Sequence, residues 1–180
     1  MKRYDDVVHP SSGYGCGIFE WIHILFVAIV FAGILNGAVF QVVTVEQYSM
    51  EPTLYEGNRV YMSKCSYWFS SPEFGDIIIF YNESSNSNYV KRIIGEPGDE
   101  ILIDGYNVYR NGILLDEPYI NEPTNGYFSI VVPEGKYFCL GDNRNVSIDS
   151  RDSSVGCISA DKILGKVVYK VLPFGRIKNK

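Results

Sequence analysis

Hydrophobic and polar residues follow one another along this chain in two distinct textures. From Trp21 to Val45 no charged residue occurs, and the only polar interruptions are His23, Asn36, Gln41 and Thr44. A run of that length can cross a hydrocarbon core of about 30 Å as a helix. A buried core helix or a cleaved secretory signal are the other readings. The run is long and apolar for a soluble helix and exceeds a usual signal core, and Leu35-Asn36-Gly37-Ala38 makes a poor cleavage site. The pattern therefore predicts a transmembrane anchor helix over residues 18–45, behind a short polar tail over 1–17.

Beyond the apolar run the texture changes to short β-prone segments. Arg59–Met62, Asp76–Phe80, Tyr89–Ile94, Glu100–Ile103, Asn107–Arg110, Tyr137–Leu140 and Lys166–Leu172 read as strands. Asp104-Gly105 and Asn111-Gly112 are hairpin signals, because these pairs tolerate positive φ. Clusters of Gly, Pro and Asn separate the segments at short intervals, and no internal repeat is visible. The expectation is a mainly β fold, with an antiparallel, barrel-like domain over 46–180 that follows one transmembrane α-helix. Ser66-Tyr67-Trp68-Phe69 reads as a core strand or as an aromatic patch at a membrane interface, with the core strand slightly favoured.

Charge and inventory narrow the function. A net charge of −5 and a pI near 5.0 argue against nucleic acid as the main partner. Lys2 and Arg3 precede the apolar run, and the first basic residue after it is Arg59. The positive-inside tendency then keeps the tail cytoplasmic and the domain outside the plasma membrane, in a single-pass arrangement. Cys16, Cys65, Cys139 and Cys157 lack the paired spacing of a zinc site and read as mostly free thiols. The two histidines, His9 and His23, sit in the tail and the apolar run, so a Ser-His-Asp triad or a His-ligated metal is excluded. No cofactor is expected.

Three stretches carry the candidate chemistry. They are Gln47-Tyr48-Ser49-Met50-Glu51-Pro52-Thr53-Leu54, then Tyr89-Val90-Lys91-Arg92-Ile93-Ile94-Gly95-Glu96-Pro97-Gly98-Asp99, and finally Gly141 through Arg151. A serine hydroxyl is a poor nucleophile until a base takes its proton. Without histidine in the domain, lysine is the remaining common base, and it serves only when neutral. Lowering its pKa from about 10.4 to between 7 and 8 requires burial among apolar groups. On a strand over 89–94, Lys91 shares a face with Tyr89 and Ile93, while Arg92 points the other way. From that segment alone, a solvated strand lysine remains the commoner reading.

In order and spacing, the three stretches resemble the motifs of type I signal peptidases, membrane-bound serine proteases with a lysine base. The resemblance runs from about Val45 to about Ile177. It implies Ser49 as nucleophile, Lys91 as general base, and Ser147 as the serine that hydrogen-bonds and orients the amine. It implies Asp149 with Arg151, and Arg92 with Asp142, as supporting ion pairs. Val45, Met50, Leu54, Tyr89 and Val90 match positions lining shallow pockets for small residues before the cut, although each is equally at home in a core. The Ser49 backbone N–H would be one oxyanion donor. The family's second donor comes from a Ser or Gly two residues earlier, where this chain has Gln47; its amide or backbone N–H is the candidate. The implied substrates are signal-peptide-bearing preproteins, met at the lipid bilayer and near the secretory translocon. The alternatives are a Ser/Lys peptidase with a specialised substrate and a catalytically silent anchored scaffold, such as a pilus-assembly factor.

Overall fold

A computed structural model describes residues 17–172 and 175–176; residues 1–16 of the expected tail, with His9 and Cys16, lie outside them. The chain parts into two compact units between Asn36 and Gly37. The first holds most of helix α1, Ile18–Val39, 22 residues whose described side chains from Ile18 to Ile34 are exposed. Among the described residues no helix is long and apolar enough to cross a membrane.

The second unit is built of antiparallel strands. Its large sheet contains β1 (Phe40–Thr44), β2 (Arg59–Ser63), β3 (Ile77–Asn82), β4 (Ser87–Gly95), β9 (Lys136–Leu140), β10 (Ile158–Ser159), β11 (Ile163–Leu172) and β12 (Gly175–Arg176). They pair in the order β1-β2-β11-β3-β4-β9-β10, with β12 on β11. The small sheet, in the order β7-β6-β5-β8, consists of β5 (Glu100–Gly105), β6 (Val108–Arg110), β7 (Ile113–Leu114) and β8 (Gly126–Val131). The described strands thus form two antiparallel sheets, one of eight strands and one of four.

Alternation explains how the large sheet is buried on both faces. Ile77 and Ile79 of β3 pack with Val45, Met50, Leu54, Val60 and Met62. Ile78 and Phe80, pointing the other way, pack with Tyr89, Ile93, Tyr137 and Cys139. A strand covered on both sides reads as a continuous apolar run, which is how β3 reads. A third cluster, with Ile94, Ile101, Ile103, Phe138 and Leu140, joins the small sheet to the large one. The predicted turn at Asn111-Gly112 has both residues at positive φ, 54° and 75°. It closes β6 onto β7.

Two expectations need correction. The helix predicted to reach Val45 stops at Val39, and Phe40–Thr44 pairs with β2 from Phe40↔Ser63 to Thr44↔Arg59. Val42, Val43 and Thr44 are β-branched and suit a pleated edge better than a helix. The slightly favoured core strand at Ser66–Phe69 is absent: the segment is a series of turns, and Trp68 and Phe69 are 63% and 98% exposed. Cys65, Cys139 and Cys157 are free thiols, as expected.

Candidate active site

Ser49 lies in a single 3-10 turn, Tyr48–Met50, on the loop between β1 and β2. Met50 packs into the core beneath it, and Leu54 N–H donates to the Met50 carbonyl at 2.8 Å. The turn is moored from outside as well. The Ser49 carbonyl accepts from Asn143 N–H at 3.0 Å, and the Tyr48 carbonyl from Asn143 Nδ2 at 3.2 Å.

Lys91 stands on β4 opposite Ile78 and is 1% exposed. Its Nζ donates to Ser49 Oγ at 2.7 Å and to the Val90 carbonyl at 3.2 Å, and lies 5.1 Å from the centroid of the Tyr89 ring. Burial lowers its pKa from 10.5 to about 8, with Asp149, Cys139 and Asp142 acting in the other direction. An amine so placed is neutral in about one molecule in ten at pH 7 and in about half at pH 8. Hydroxyl and amine are thus in contact, in a dry setting, near the pH at which the amine can accept a proton.

Arg92, on the opposite face of the strand, is fully buried. Its Nε and Nη2 donate to the two Asp142 carboxylate oxygens at 2.8 and 2.7 Å, and Nη1 donates to the Gly75 carbonyl. Thr53, from the serine's own loop, also donates to Asp142. Arg151 forks onto Asp149 at 2.8 Å through both Nε and Nη2, while Asp149 accepts from Gly141 N–H at 3.1 Å. Both ion pairs therefore shape the 141–151 loop that holds the serine turn. Sequence reasoning did not find Glu117 and Tyr119. Glu117 grips Arg144, Tyr119 donates to Glu117, and the Arg92 guanidinium lies 3.9 Å from the Tyr119 ring centroid. They sit on an irregular segment with no motif to mark them.

Ser147 is close by but does not do what was expected of it. Its Oγ is buried without a hydrogen-bond partner among the described residues, and the Val90 carbonyl takes the second bond of the amine instead. Asn143 C=O accepts from both Val146 and Ser147 N–H, a turn that sets the Ser147 hydroxyl against Gly141. A side chain at Gly141 would collide with Ser147 Oγ and with the Ser49 carbonyl.

A cavity of about 190 Å³ opens beside Ser49. Of the expected lining residues, Val45, Met50 and Val90 are there, joined by Val43 and Ile79. Leu54 and Tyr89 are not: Leu54 is wholly inside the core, and Tyr89 faces the other side of β4. Gln47 stands on the rim, immediately before the turn, with extended backbone (φ −132°, ψ 154°). A larger cavity of about 480 Å³ borders Ser147, Asp149 and Arg151 but touches neither Ser49 nor Lys91. The smaller one is the cavity that the Ser49–Lys91 pair can serve.

A β domain that sets a serine hydroxyl against a buried lysine amine, with no histidine described in it, fits one class: serine peptidases with a lysine base. Comparison with known proteins makes this specific. The family model described as signal peptidase, peptidase S26, matches residues 18–172, and the chain belongs to that family. It is 35% identical to signal peptidase I of Bacillus licheniformis over 172 residues, covering 89% of this chain and 92% of that one. It is 36% identical to signal peptidase IB of Staphylococcus aureus strain COL over 181 residues, covering 90% and 93%. Among solved structures, a signal peptidase I from Enterococcus faecalis V583 is similar at 32% identity, covering 54% of this chain and 97% of that chain, with a TM-score of 0.49.

Proposed function

We propose that this chain is a membrane-held serine endopeptidase that removes amino-terminal signal peptides from secreted preproteins. The observation that carries the reading is the buried 2.7 Å hydrogen bond between Lys91 Nζ and Ser49 Oγ. Neutral Lys91 takes the hydroxyl proton while Ser49 Oγ attacks the carbonyl at the cut. The resulting ammonium protonates the departing amine, and water, activated by the same lysine, hydrolyses the acyl-enzyme. Ser49 N–H and a donor from Gln47 would receive the charge on the carbonyl oxygen, each donor being worth about 3 to 4 kcal/mol. Ser147 would bond the amine once substrate seats in the cavity. Arg92–Asp142 and Arg151–Asp149 keep the two loops in register.

The cavity of about 190 Å³, walled by Val43, Val45, Met50, Ile79 and Val90, suits small apolar side chains such as alanine. Helix α1 would be the anchor. Its 22 residues carry one acidic side chain, Glu20 in the first turn, and no lysine or arginine. In this reading the tail is cytoplasmic, and the peptidase domain, beginning at Phe40, lies outside the plasma membrane. Substrates would meet it at the bilayer, close to the translocon, and sharing the membrane raises their effective concentration.

The test is cleavage of a preprotein with an Ala-x-Ala site by the purified full chain. Cut products at that site are expected from the wild type and none from Ser49→Ala or Lys91→Ala. An active Lys91→Ala enzyme would overturn the mechanism.

A further inference from the structure

Strand β8 forms one edge of the small sheet, and one side of its backbone is left without a partner. Val132 N–H, just past the strand, donates to the Asp99 carbonyl at 2.8 Å. By the alternation of an antiparallel ladder, Ile130 and Phe128 then turn their N–H and C=O groups toward β5, against Ile101 and Ile103. Those of Tyr127, Ser129 and Val131 point away from the sheet, and among the described residues nothing bonds to them. Edge strands are ordinarily kept from pairing by shortness, by a charge or by a proline. The opposite edge, β7, has two residues. β8 has six, Gly-Tyr-Phe-Ser-Ile-Val, with neither charge nor proline, and Tyr127 and Val131 are exposed.

The cavity of about 480 Å³ lies against this edge. Tyr127 and Phe128 wall it on one side, and Asn145, Ser147, Arg151 and Asp152 on the other. Ser147 Oγ, buried and unpartnered, belongs to the same wall. A strand added to β8 would turn every second side chain toward the face that carries Phe128 and Ile130, where the cavity is. Main-chain bonds along an edge and a pocket for an alternate side chain are the two halves of recognition by strand addition.

We infer that the extended stretch of a preprotein downstream of the cut pairs with the β8 edge as an added strand and sets a polar side chain in this cavity. The inference rests on the peptidase reading. The part of the substrate before the cut occupies the cavity of about 190 Å³, on the flank of Ser49 formed by residues 43–47 and 87–90. The part after the cut leaves by the other flank, where Asn143 N–H holds the Ser49 carbonyl at 3.0 Å. Two residues further, Asn145 Oδ1 accepts from Asn125 N–H at 3.2 Å, at the foot of β8. The path from Ser49 to β8 is thus within about 20 Å, a distance that about six extended residues cover. Asn145, Arg151 and Asp152 offer an amide and charges of both signs, which suits a polar side chain rather than an aliphatic one.

The test uses two peptides with the same Ala-x-Ala site, cleaved by the purified full chain in detergent. One carries about four residues after the cut, too few to reach β8, and the other about sixteen. KM is expected to be lower for the long peptide on the order of tenfold, with similar kcat. Ser129→Pro removes the central outward N–H and leaves the ladder to β5 intact, because that N–H is not part of it. It should raise the KM of the long peptide to that of the short one and leave short-peptide cleavage unchanged. Ser129→Ala keeps the N–H and should alter neither. Equal KM for the two peptides with the wild type overturns the inference, and so does an advantage lost in Ser129→Ala, which would make the contact one of side chains.

Cross-linking decides the matter even where Ser129→Pro disturbs the strand and lowers short-peptide cleavage as well. The long peptide, with a benzophenone at about the ninth residue after the cut, is bound to the Ser49→Ala chain. Adducts are expected within Tyr127–Val131; adducts elsewhere, or none, overturn the inference. A wild type that sediments as a dimer while Ser129→Pro sediments as a monomer overturns it too, since a second copy would then hold the edge. A wild type that cleaves neither peptide refutes the peptidase reading instead, and the cross-link still reports whether β8 takes up an extended chain.

Discussion

Replacing Lys91 by methionine separates what the lysine does for catalysis from what it costs the fold. The amine has a pKa of 10.5 in its ordinary state and about 8 in the folded protein, because burial disfavours its charged form. At 1.36 kcal/mol per pKa unit, keeping that charge buried at pH 7 costs about 3 kcal/mol. The sign follows from proton counting. Between pH 8 and 10.5 the unfolded chain binds the extra proton, so wild-type stability rises with pH through that window and the penalty is complete below it. Methionine fills a similar volume without a charge, and forfeits the bonds to Ser49 and Val90, worth about 1 kcal/mol each. Lys91→Met should therefore be more stable than wild type by about 1 to 2 kcal/mol at pH 7 and inert as a peptidase. The sharper quantity is the change between two pH values, in which lost bonds and altered packing cancel. Urea unfolding of the detergent-solubilised chain at pH 7 and pH 10.5 should show the advantage of the variant shrinking by about 3 kcal/mol. An advantage or deficit equal at both values would refute the argument, since it would mean that Lys91 is not buried as a charge.

The same shift sets the rate profile: kcat/KM for a small-residue peptide should climb about fivefold from pH 7 to 8 and less than twofold from 8 to 9, and a limb near pH 10 would contradict it. Gly141→Ala places a methyl group against Ser147 Oγ and the Ser49 carbonyl. Peptide turnover is expected to drop on the order of a hundredfold because the serine turn is displaced, and an unchanged kcat would show that the two loops yield freely. Asp142→Asn strips the carboxylate from Arg92, both fully buried in the pair. Thermal or urea unfolding should reveal a loss of about 3 to 5 kcal/mol, and a neutral result would mean that water replaces the lost charge.

How much of this was legible in the sequence depended on whether the deciding interaction was local. The strands around Arg59, Ile77, Tyr89 and Glu100 were readable because alternation and the turn pairs Asp104-Gly105 and Asn111-Gly112 are properties of neighbouring residues. The strand Phe40–Thr44 was hidden because hydropathy does not change where α1 gives way to β1; what changes is the pairing with β2, which lies some twenty residues further on. Ser66–Phe69 has the composition of a strand but no partner strand, so it folds as turns around Tyr67. In the site, the motifs brought Ser49 and Lys91 to notice, and they are in contact. The cavity walls were less accessible. Leu54 and Tyr89 belong to core clusters on opposite sides of the sheet, whereas Val43 and Ile79 line the cavity through strands whose facing only the assembled sheet decides. The position of Ser147 Oγ depends on a backbone turn about Asn143, which no side-chain motif encodes.

The site has to reconcile two opposed demands. Holding the 141–151 loop against the serine turn takes buried carboxylates, and any carboxylate near Lys91 favours its charged and useless form; Asp149 and Asp142 both pull in that direction. The structure meets both demands by giving each carboxylate its own guanidinium: Asp142 is forked by Arg92 and Asp149 by Arg151. Arginine suits this task because it keeps its charge in burial and matches a carboxylate with two parallel bonds. Burial outweighs the pull of the two carboxylates on the amine, so the pKa settles near 8 rather than above 10. Arg92 sits next to Lys91 in sequence for the same geometric reason. On a strand, the neighbouring residue points to the far face, where it can bind the loop's carboxylate without approaching the lysine.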